Sequence, residues 1–168
     1  TLTKEEGGHT STVWCASFDP TGGFKRLATC SDDRTIGIWD VDAGRGLTLG
    51  AVVNFPCGHD RPALSVSWGK CGLLAEGGGD DSIRLFAPPR SVEGAEEGAD
   101  TAVQAWVEIG RVLSYHEHEG EGESTDGHED EVNCVAWHPT ESHTLATASD
   151  DGTVKIWSVH RAESPGAE

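Results

Sequence analysis

One sequence phrase recurs three times along this chain and limits what the chain can fold into. Each copy begins at a Gly-His pair and closes on a strand-like run that ends in Trp or Phe. The copies are Gly8-His9 with 27–39 (LATCSDDRTIGIW), Gly58-His59 with 79–86 (GDDSIRLF) and Gly127-His128 with 145–157 (LATASDDGTVKIW). A repeat of this size buries its apolar faces only by stacking against neighbouring copies. The phrase therefore predicts a row of similar β-sheet units.

Each repeat is predicted to contain three short strands, because β-branched and aromatic residues alternate there with polar turn residues. The predicted strands are 12–18, 26–30, 35–39, then 63–68, 72–75, 82–87, and finally 131–137, 144–148 and 153–159. Fourth strands are predicted at 47–55 and 105–113. Thr1–Lys4 is predicted to be the end of a fourth strand in an earlier unit. Together these patterns predict an all-β fold, a partial β-propeller with one blade per repeat.

The repeats also divide the 168-residue chain into segments. The predicted segments are the end of a preceding blade (1–6), a blade (7–56), an aberrant blade (57–115) with an acidic loop at 88–100, a final blade without its outer strand (116–160) and a tail (161–168). The acidic, Gly-rich segments 88–100 and 116–130 carry too little apolar area to offset the entropy of ordering. We expect both to be long disordered loops. The chain begins without an initiator Met, which suggests a truncated or processed start.

The charge of the chain argues against two classes of partner. It holds 29 Asp and Glu against 12 Lys and Arg, for a formal net charge of −17. Nucleic-acid binding needs cationic side chains to displace counterions from phosphate. The sequence also lacks an apolar stretch of the roughly 18–20 residues that a bilayer span needs. We therefore expect neither a nucleic-acid partner nor a membrane partner.

The five cysteines predict neither a zinc ribbon nor a disulfide framework, because their number is odd and no pair has CxxC spacing. Cys15 and Cys134 occupy the same position in two repeats, where a small strand residue is expected. Unpaired thiols fit a reducing compartment, so the predicted location is the cytosol or the nucleus.

With the repeats in place, the chain resembles WD40 proteins, and in particular the WD40 subunits of the cytosolic iron–sulfur protein assembly (CIA) machinery. The segments that carry this resemblance are 11–14 (STVW), 31–35 (SDDRT), 79–86 (GDDSIRLF) and 130–137 (DEVNCVAW). The middle repeat is the most diagnostic, because WD40 repeats in general end in Trp and this one ends in Phe86. The resemblance covers the chain apart from its acidic loops and tail.

The resemblance implies a seven-bladed propeller, of which this chain holds about three blades. It implies a non-enzymatic scaffold that helps deliver iron–sulfur clusters to cytosolic and nuclear apoproteins, without a cofactor or cluster ligands of its own. The implied partners are a DUF59-type adaptor and a HEAT-repeat subunit of the CIA targeting complex, together with the apoproteins.

WD40 repeats carry a buried hydrogen-bond network of His, Ser or Thr, Asp and Trp. The resemblance assigns this network to His9, Thr29, Asp33 and Trp39 in the first repeat, and to His128, Thr147, Asp151 and Trp157 in the third. The middle repeat keeps His59 and Asp80 but has Glu76 and Phe86 in the other two places. Phe donates no hydrogen bond, so a looser middle blade is expected.

The Thr–His–Asp set also resembles a hydrolase triad, but its recurrence in two repeats and the lack of a G-x-S-x-G elbow favour a structural role.

WD40 contacts usually lie on the face where the chain enters each first strand and turns after each second strand. Transferred by motif, the candidate protein-binding residues are Thr12, Trp14, Asp32, Pro62, Leu64, Glu131, Asn133 and Asp150. Trp14 is the leading candidate, because exposed aromatic residues dominate binding hot spots.

Two other functions remain open at the level of sequence. The first is a WD40 adaptor of another pathway, such as a ubiquitin ligase or a chromatin complex. The second is a metal-binding or hydrolytic protein that uses His116, His118 and His128, although this acidic segment is expected to lack the fixed geometry that a metal site needs.

Overall fold

A computed structural model describes residues 8–21, 23–42, 46–49, 55–56, 58, 60–88, 106–112 and 127–159. These residues form three antiparallel sheets. The strands are β1 (Val13–Phe18), β2 (Arg26–Ser31), β3 (Thr35–Asp42), β4 (Gly46–Leu49), β5 (Phe55–Pro56), β6 (Ala63–Trp68), β7 (Leu74–Gly78), β8 (Ile83–Ala87), β9 (Val107–Val112), β10 (Val132–Trp137), β11 (Thr144–Ser149) and β12 (Val154–Ser158). The predicted all-β fold, with one antiparallel sheet for each repeat, is confirmed.

Each sheet is one blade, and apart from β5 its strands pair in the order in which they follow along the chain. The first blade holds β1 to β5, the second β6 to β9 and the third β10 to β12. Both described parts of the fourth strand predicted over 47–55, β4 and β5, pair antiparallel with β3, and residues 50–54 between them lie outside the described part of the chain. The strand expected at Thr1–Lys4 lies outside the described residues, as do 89–100 and 116–126 of the two acidic segments.

The tight turn after the second strand has the same backbone geometry in every blade. Arg34, Asp81 and Gly152 hold its left-handed position, with φ of 63°, 65° and 79°. Only Gly reaches this region without steric cost. An Asx bond supports the turn in the first blade, where the N–H of Thr35 donates to Asp33 Oδ1 at 3.1 Å.

The apolar core lies between the blades, as the stacking argument requires. One cluster packs the first blade on the second and includes Ile36, Val66 and Trp68. The other packs the second blade on the third and includes Ile83 and Val135. The apolar sheet faces between neighbouring blades are thus buried against each other.

Serine hydroxyls tie the inner strands of neighbouring blades together. Ser17 Oγ accepts from the N–H of Trp68 at 3.0 Å, between the first and second blades. Ser65 and Ser67 accept in the same way from Val135 at 3.1 Å and Trp137 at 3.0 Å, between the second and third. These bonds fix the register of the blades, so the same end of each inner strand reaches the same face.

The apolar faces at the two ends of the row are open among the described residues. Val154 and Ile156 in β12 are 70% and 67% exposed. Ile36 and Ile83 hold the position of Val154 in the other blades and are buried there by the following blade. The apolar residues of β12 are therefore of the kind that another blade covers in the first two sheets.

Candidate functional site

Three side chains occupy equivalent places at one end of the inner strands. Trp14, Leu64 and Asn133 are each the second residue of their strand. Trp14 is 54% exposed and Asn133 is exposed, while Leu64 is partly covered. We call the surface at this end of the blades, formed by these residues and the neighbouring turns, the upper face.

Backbone hydrogen bonds hold the tight turns against the entry to each inner strand. The carbonyl oxygen of Thr12 accepts from the N–H of Asp32 at 2.9 Å. Pro62 accepts from Gly79 at 2.9 Å, and Glu131 from Asp150 at 3.1 Å. The eight predicted binding residues therefore lie at equivalent places of the three blades, on the upper face.

Side-chain bonds stiffen the same face. Asn133 Nδ2 donates to Asp150 Oδ1 at 2.6 Å, and Ser11 Oγ donates to Asp32 Oδ2 at 2.8 Å. Between the second and third blades, Arg61 Nη1 lies 3.3 Å from Glu131 Oε1. These polar groups are ordered before a partner arrives, which lowers the entropic cost of binding.

The upper face is acidic. Partial burial raises the pKa of Asp81, and repulsion from Asp130 and Asp80 raises it further, against the opposing effect of Arg61. Asp32 and Asp150 add two exposed carboxylates to the same face. An exposed indole beside several carboxylates suits a partner surface that carries apolar and cationic side chains.

The third blade has a continuous buried hydrogen-bond network. Trp157 Nε1 donates to Thr147 Oγ1 at 2.8 Å, and the Thr147 hydroxyl lies 2.7 Å from His128 Nε2. His128 Nδ1 lies 2.8 Å from Asp151 Oδ2. The indole can only donate, so the Thr147 hydroxyl accepts from it, and every member of the network is satisfied when that hydroxyl donates to Nε2 and Nδ1–H donates to the carboxylate.

The first blade repeats this network. Trp39 Nε1 and His9 Nε2 each lie 2.7 Å from Thr29 Oγ1, and His9 Nδ1 lies 3.2 Å from Asp33 Oδ2. Thr29 is buried and His9 is largely enclosed, so the set has no room for a substrate beside its hydroxyl. This geometry supports a role in stability.

Gly37 makes space for the indole of the first blade. A Cβ at this position would lie 2.7 Å from Trp39 Cζ2 and 2.9 Å from Thr29 Oγ1. A side chain at position 37 is therefore excluded by the close approach of the Trp39 ring to the backbone.

The middle blade replaces the network with a buried charge cluster, which sequence reasoning missed. Arg84 holds the position of Gly37 and is only 3% exposed. Its Nη2 lies 3.2 Å from Asp80 Oδ2, and its Nη1 lies 3.3 Å from Glu108 Oε2. The fully buried Glu76 is its partner in the cross-strand register. The sequence signal for this cluster is Glu76 at the position that Thr29 holds in the first blade, together with Arg84 at the position of Gly37. His59 lies outside the described residues.

The described residues contain no group of three or more His, Cys, Asp and Glu that could hold a metal ion. His128 is committed to the network of the third blade, while His116 and His118 lie outside the described part of the chain. No helix long and apolar enough to cross a bilayer occurs in that part either.

Comparison with known proteins agrees with this architecture. The family described as WD domain, G-beta repeat matches residues 1–40 and 122–158. These matches contain most of the first repeat and nearly all of the third, whereas the aberrant middle repeat falls outside them. The two blades with complete hydrogen-bond networks are thus the ones with the regular repeat sequence.

The similarity to curated relatives extends over more of the chain than the family match does. The chain is 37% identical over 160 residues to the "Probable cytosolic iron-sulfur protein assembly protein Ciao1" of Aedes aegypti, covering 89% of this chain and 41% of the relative. The protein of the same name from Culex quinquefasciatus is 34% identical, with coverage of 89% and 41%. The "Probable cytosolic iron-sulfur protein assembly protein CIAO1 homolog" of Chlamydomonas reinhardtii is 31% identical, with coverage of 89% and 43%. The chain spans about two fifths of the length of these relatives.

Proposed function

This chain is built of WD40 repeats and is homologous to cytosolic iron–sulfur protein assembly proteins, and we propose that it serves as a docking scaffold in that assembly. In this role it has no catalytic chemistry of its own. It holds other proteins together so that iron–sulfur clusters reach cytosolic and nuclear apoproteins. The cytoplasm is its proposed location, with the nucleus as a second one.

The observation that carries this proposal is the alignment of Trp14, Leu64 and Asn133 on one rigid, acidic face. The backbone and side-chain bonds of the tight turns fix this face, and the inter-blade serine bonds keep the blades in register. Protein interfaces are enriched in exposed aromatic residues, and their energy concentrates in a few of them.

The proposed partners are a DUF59-type adaptor and a HEAT-repeat subunit of the CIA targeting complex, with the apoproteins as clients. The acidic upper face favours a partner that presents Lys or Arg around an apolar centre. The eight residues proposed to make the contact are Thr12, Trp14, Asp32, Pro62, Leu64, Glu131, Asn133 and Asp150.

Co-purification of the tagged protein with these components tests the proposal. We expect the DUF59-type adaptor to be retained at a stoichiometric level, and to be lost when Trp14 is replaced by Ala. A matched WD40 protein from a ubiquitin ligase, tagged in the same way, controls for contacts that any propeller makes. Retention of a ubiquitin-ligase or chromatin component in place of the adaptor would overturn the proposal and favour the general WD40 adaptor.

A further inference from the structure

Two cysteine side chains of the first blade face each other across neighbouring strands. Cys15 in β1 is the register partner of Cys30 in β2. A bulge between Val13 and Cys15 produces this pairing, because the register of Val13 with Ser31 would otherwise set Cys15 opposite Thr29. Directly opposed residues in an antiparallel pair project to the same side, with Cβ atoms about 4.5–5.5 Å apart. The spacing is close to the range of about 3.5–4.5 Å that a disulfide uses.

The two thiols differ in their access to solvent. The Cys30 thiol is fully buried and lies opposite Cys15 in the strand register. Cys15 is partly exposed, and its Sγ lies 3.5 Å from the carbonyl oxygen of Val66 and 4.0 Å from Ser65 Oγ in the second blade. A reagent from solvent therefore reaches Cys15 first.

The neighbouring Cys30 thiol lowers the pKa of Cys15, against the opposing effect of burial. The same contact raises the pKa of Cys30. The thiolate is the nucleophilic form of cysteine, so the exposed partner of the pair is the reactive one. A reactive, accessible thiol beside a buried second thiol is the arrangement of redox-sensitive cysteines.

The other blades show that this pair is particular to the first blade among the described residues. Cys134 holds the place of Cys15 in the third blade and lies opposite Ala148. In the second blade Ser65 lies opposite Gly77. The repeat fold therefore accepts Ser at the first position and Ala at the second, and the stability of a blade does not require the two thiols.

We propose that Cys15 and Cys30 form a peroxide-sensitive dithiol that closes to a cross-strand disulfide within the first blade. The Cys15 thiolate attacks one oxygen of hydrogen peroxide, the O–O bond breaks, and the departing hydroxide takes up a proton to leave as water. Cys15 is then a sulfenic acid. The Cys30 sulfur attacks the sulfenic sulfur, a second water leaves with the Cys30 proton, and the disulfide forms. Two thiols and one peroxide thus give one disulfide and two waters.

Closing the disulfide moves the Cys15 sulfur toward β2 and away from the second blade. The contacts that Cys15 makes with Val66 and Ser65 lie at the boundary between these blades. Oxidation of the pair is thereby linked to the packing of the first blade on the second, beneath the upper face. This inference does not depend on the identity of the docking partners.

Peptide mapping of the purified, full chain tests the proposal. The protein is treated with hydrogen peroxide, remaining thiols are blocked with N-ethylmaleimide under denaturing conditions, and the chain is cut with trypsin. Cleavage after Lys4, Lys25, Arg26 and Arg34 places Cys15 and Cys30 on separate peptides. We expect these peptides to be linked, lighter by two hydrogen atoms than their sum, and separable by dithiothreitol. The linked product should exceed any pairing with Cys71 or Cys134 by about tenfold.

Two variants separate the oxidation of Cys15 from the closing of the disulfide. Each introduces a residue that another blade already has at the equivalent position. Cys30→Ala copies Ala148, and we expect Cys15 to accumulate as a sulfenic acid that dimedone traps. Cys15→Ser copies Ser65, and we expect the buried Cys30 to stay reduced. Full alkylation of both Cys15 and Cys30 after peroxide treatment that oxidises Cys134 would overturn the proposal. Linkage of Cys15 to Cys71 or Cys134 would overturn it as well.

Discussion

His128 Nδ1 lies 2.8 Å from Asp151 Oδ2, and the side chains of both residues are almost fully buried. Burial alone raises the pKa of Asp151. The hydrogen bonds from Thr153, His128 and the Glu129 backbone outweigh burial and lower the pKa well below the ordinary value. The carboxylate is therefore held in its ionised form by the fold, which ties the stability of the third blade to pH.

The first prediction concerns acid unfolding. Because the pKa of Asp151 is lower in the folded chain, its contribution to stability is complete above the unfolded pKa of about 3.9 and is lost as the pH falls toward the folded value. We expect the melting temperature to drop steeply below about pH 4. The Asp151→Asn variant should have a lower melting temperature at pH 7 and a shallower loss in acid. Asp60→Asn, at an exposed position, is the control, and an equal acid response in Asp151→Asn and the parent would contradict the prediction.

The second prediction concerns the hydroxyl at the centre of the third network. Thr147→Val keeps the shape of the side chain but removes the acceptor of the Trp157 indole and the donor to His128. A buried polar group left without a partner costs about 1–3 kcal/mol, and we expect a loss of this size in the free energy of unfolding. Chemical denaturation measures it. Thr12→Val, at an exposed position, should change stability by less than about 0.5 kcal/mol. Equal effects of the two substitutions would contradict a structural role for the network.

The strands could be predicted from sequence because they depend on local patterns, and the two complete networks could be assigned because the resemblance to WD40 repeats implies their members. From Thr29 to Asp33 and on to Trp39, the residue types and intervals recur in the third repeat. The charge cluster of Arg84 had a signal in the residue types of Glu76 and Arg84, but its contacts depend on the strand register that sets these two residues opposite each other.

Contacts that depend on irregular or long-range geometry were also missed. The Cys15–Cys30 pairing depends on a bulge, which shifts the register by one residue and has no signal in the composition. The serine bonds between blades depend on how separate sheets pack. Ser17 and the N–H of Trp68 are far apart in sequence, and neither residue type predicts the other.

The third prediction concerns the buried cation of the middle blade. Arg84→Met removes the positive charge that lies 3.2 Å from Asp80, in a site where the arginine is 3% exposed. Removing one member of a buried ion pair costs about 3–5 kcal/mol, because the remaining charge loses its compensation. Arg61→Met is the matched control, since Arg61 forms an exposed pair with Glu131 that is worth about 0–1 kcal/mol. Equal melting temperatures for the two variants would contradict a structural role for the charge cluster.

The fourth prediction concerns partner binding. Trp14→Ala should weaken capture of the DUF59-type adaptor by about 2 kcal/mol, which is a hot-spot effect, and leave the melting temperature nearly unchanged. Phe24→Ala is the control, because Phe24 is 60% exposed but lies in the turn at the opposite end of the first blade. Calorimetric titration measures both. Unchanged affinity in Trp14→Ala, or an equal loss in Phe24→Ala, would remove Trp14 from the binding face.

The fifth prediction concerns the 168-residue chain purified alone. The open faces of β1 and β12 expose apolar side chains, with Phe18 at 50% and Ile156 at 67%. An uncovered strand face of this kind promotes association between copies. We expect the chain to self-associate in sedimentation velocity and to bind a hydrophobic dye, and Val154→Lys with Ile156→Lys to reduce both. Lysine at Val107 and Ile109, which are exposed in the second blade, should have a smaller effect because those residues lie away from the ends of the row. A monomer that melts cooperatively and binds no dye would contradict the prediction, since it would mean that the end faces are covered within the chain itself.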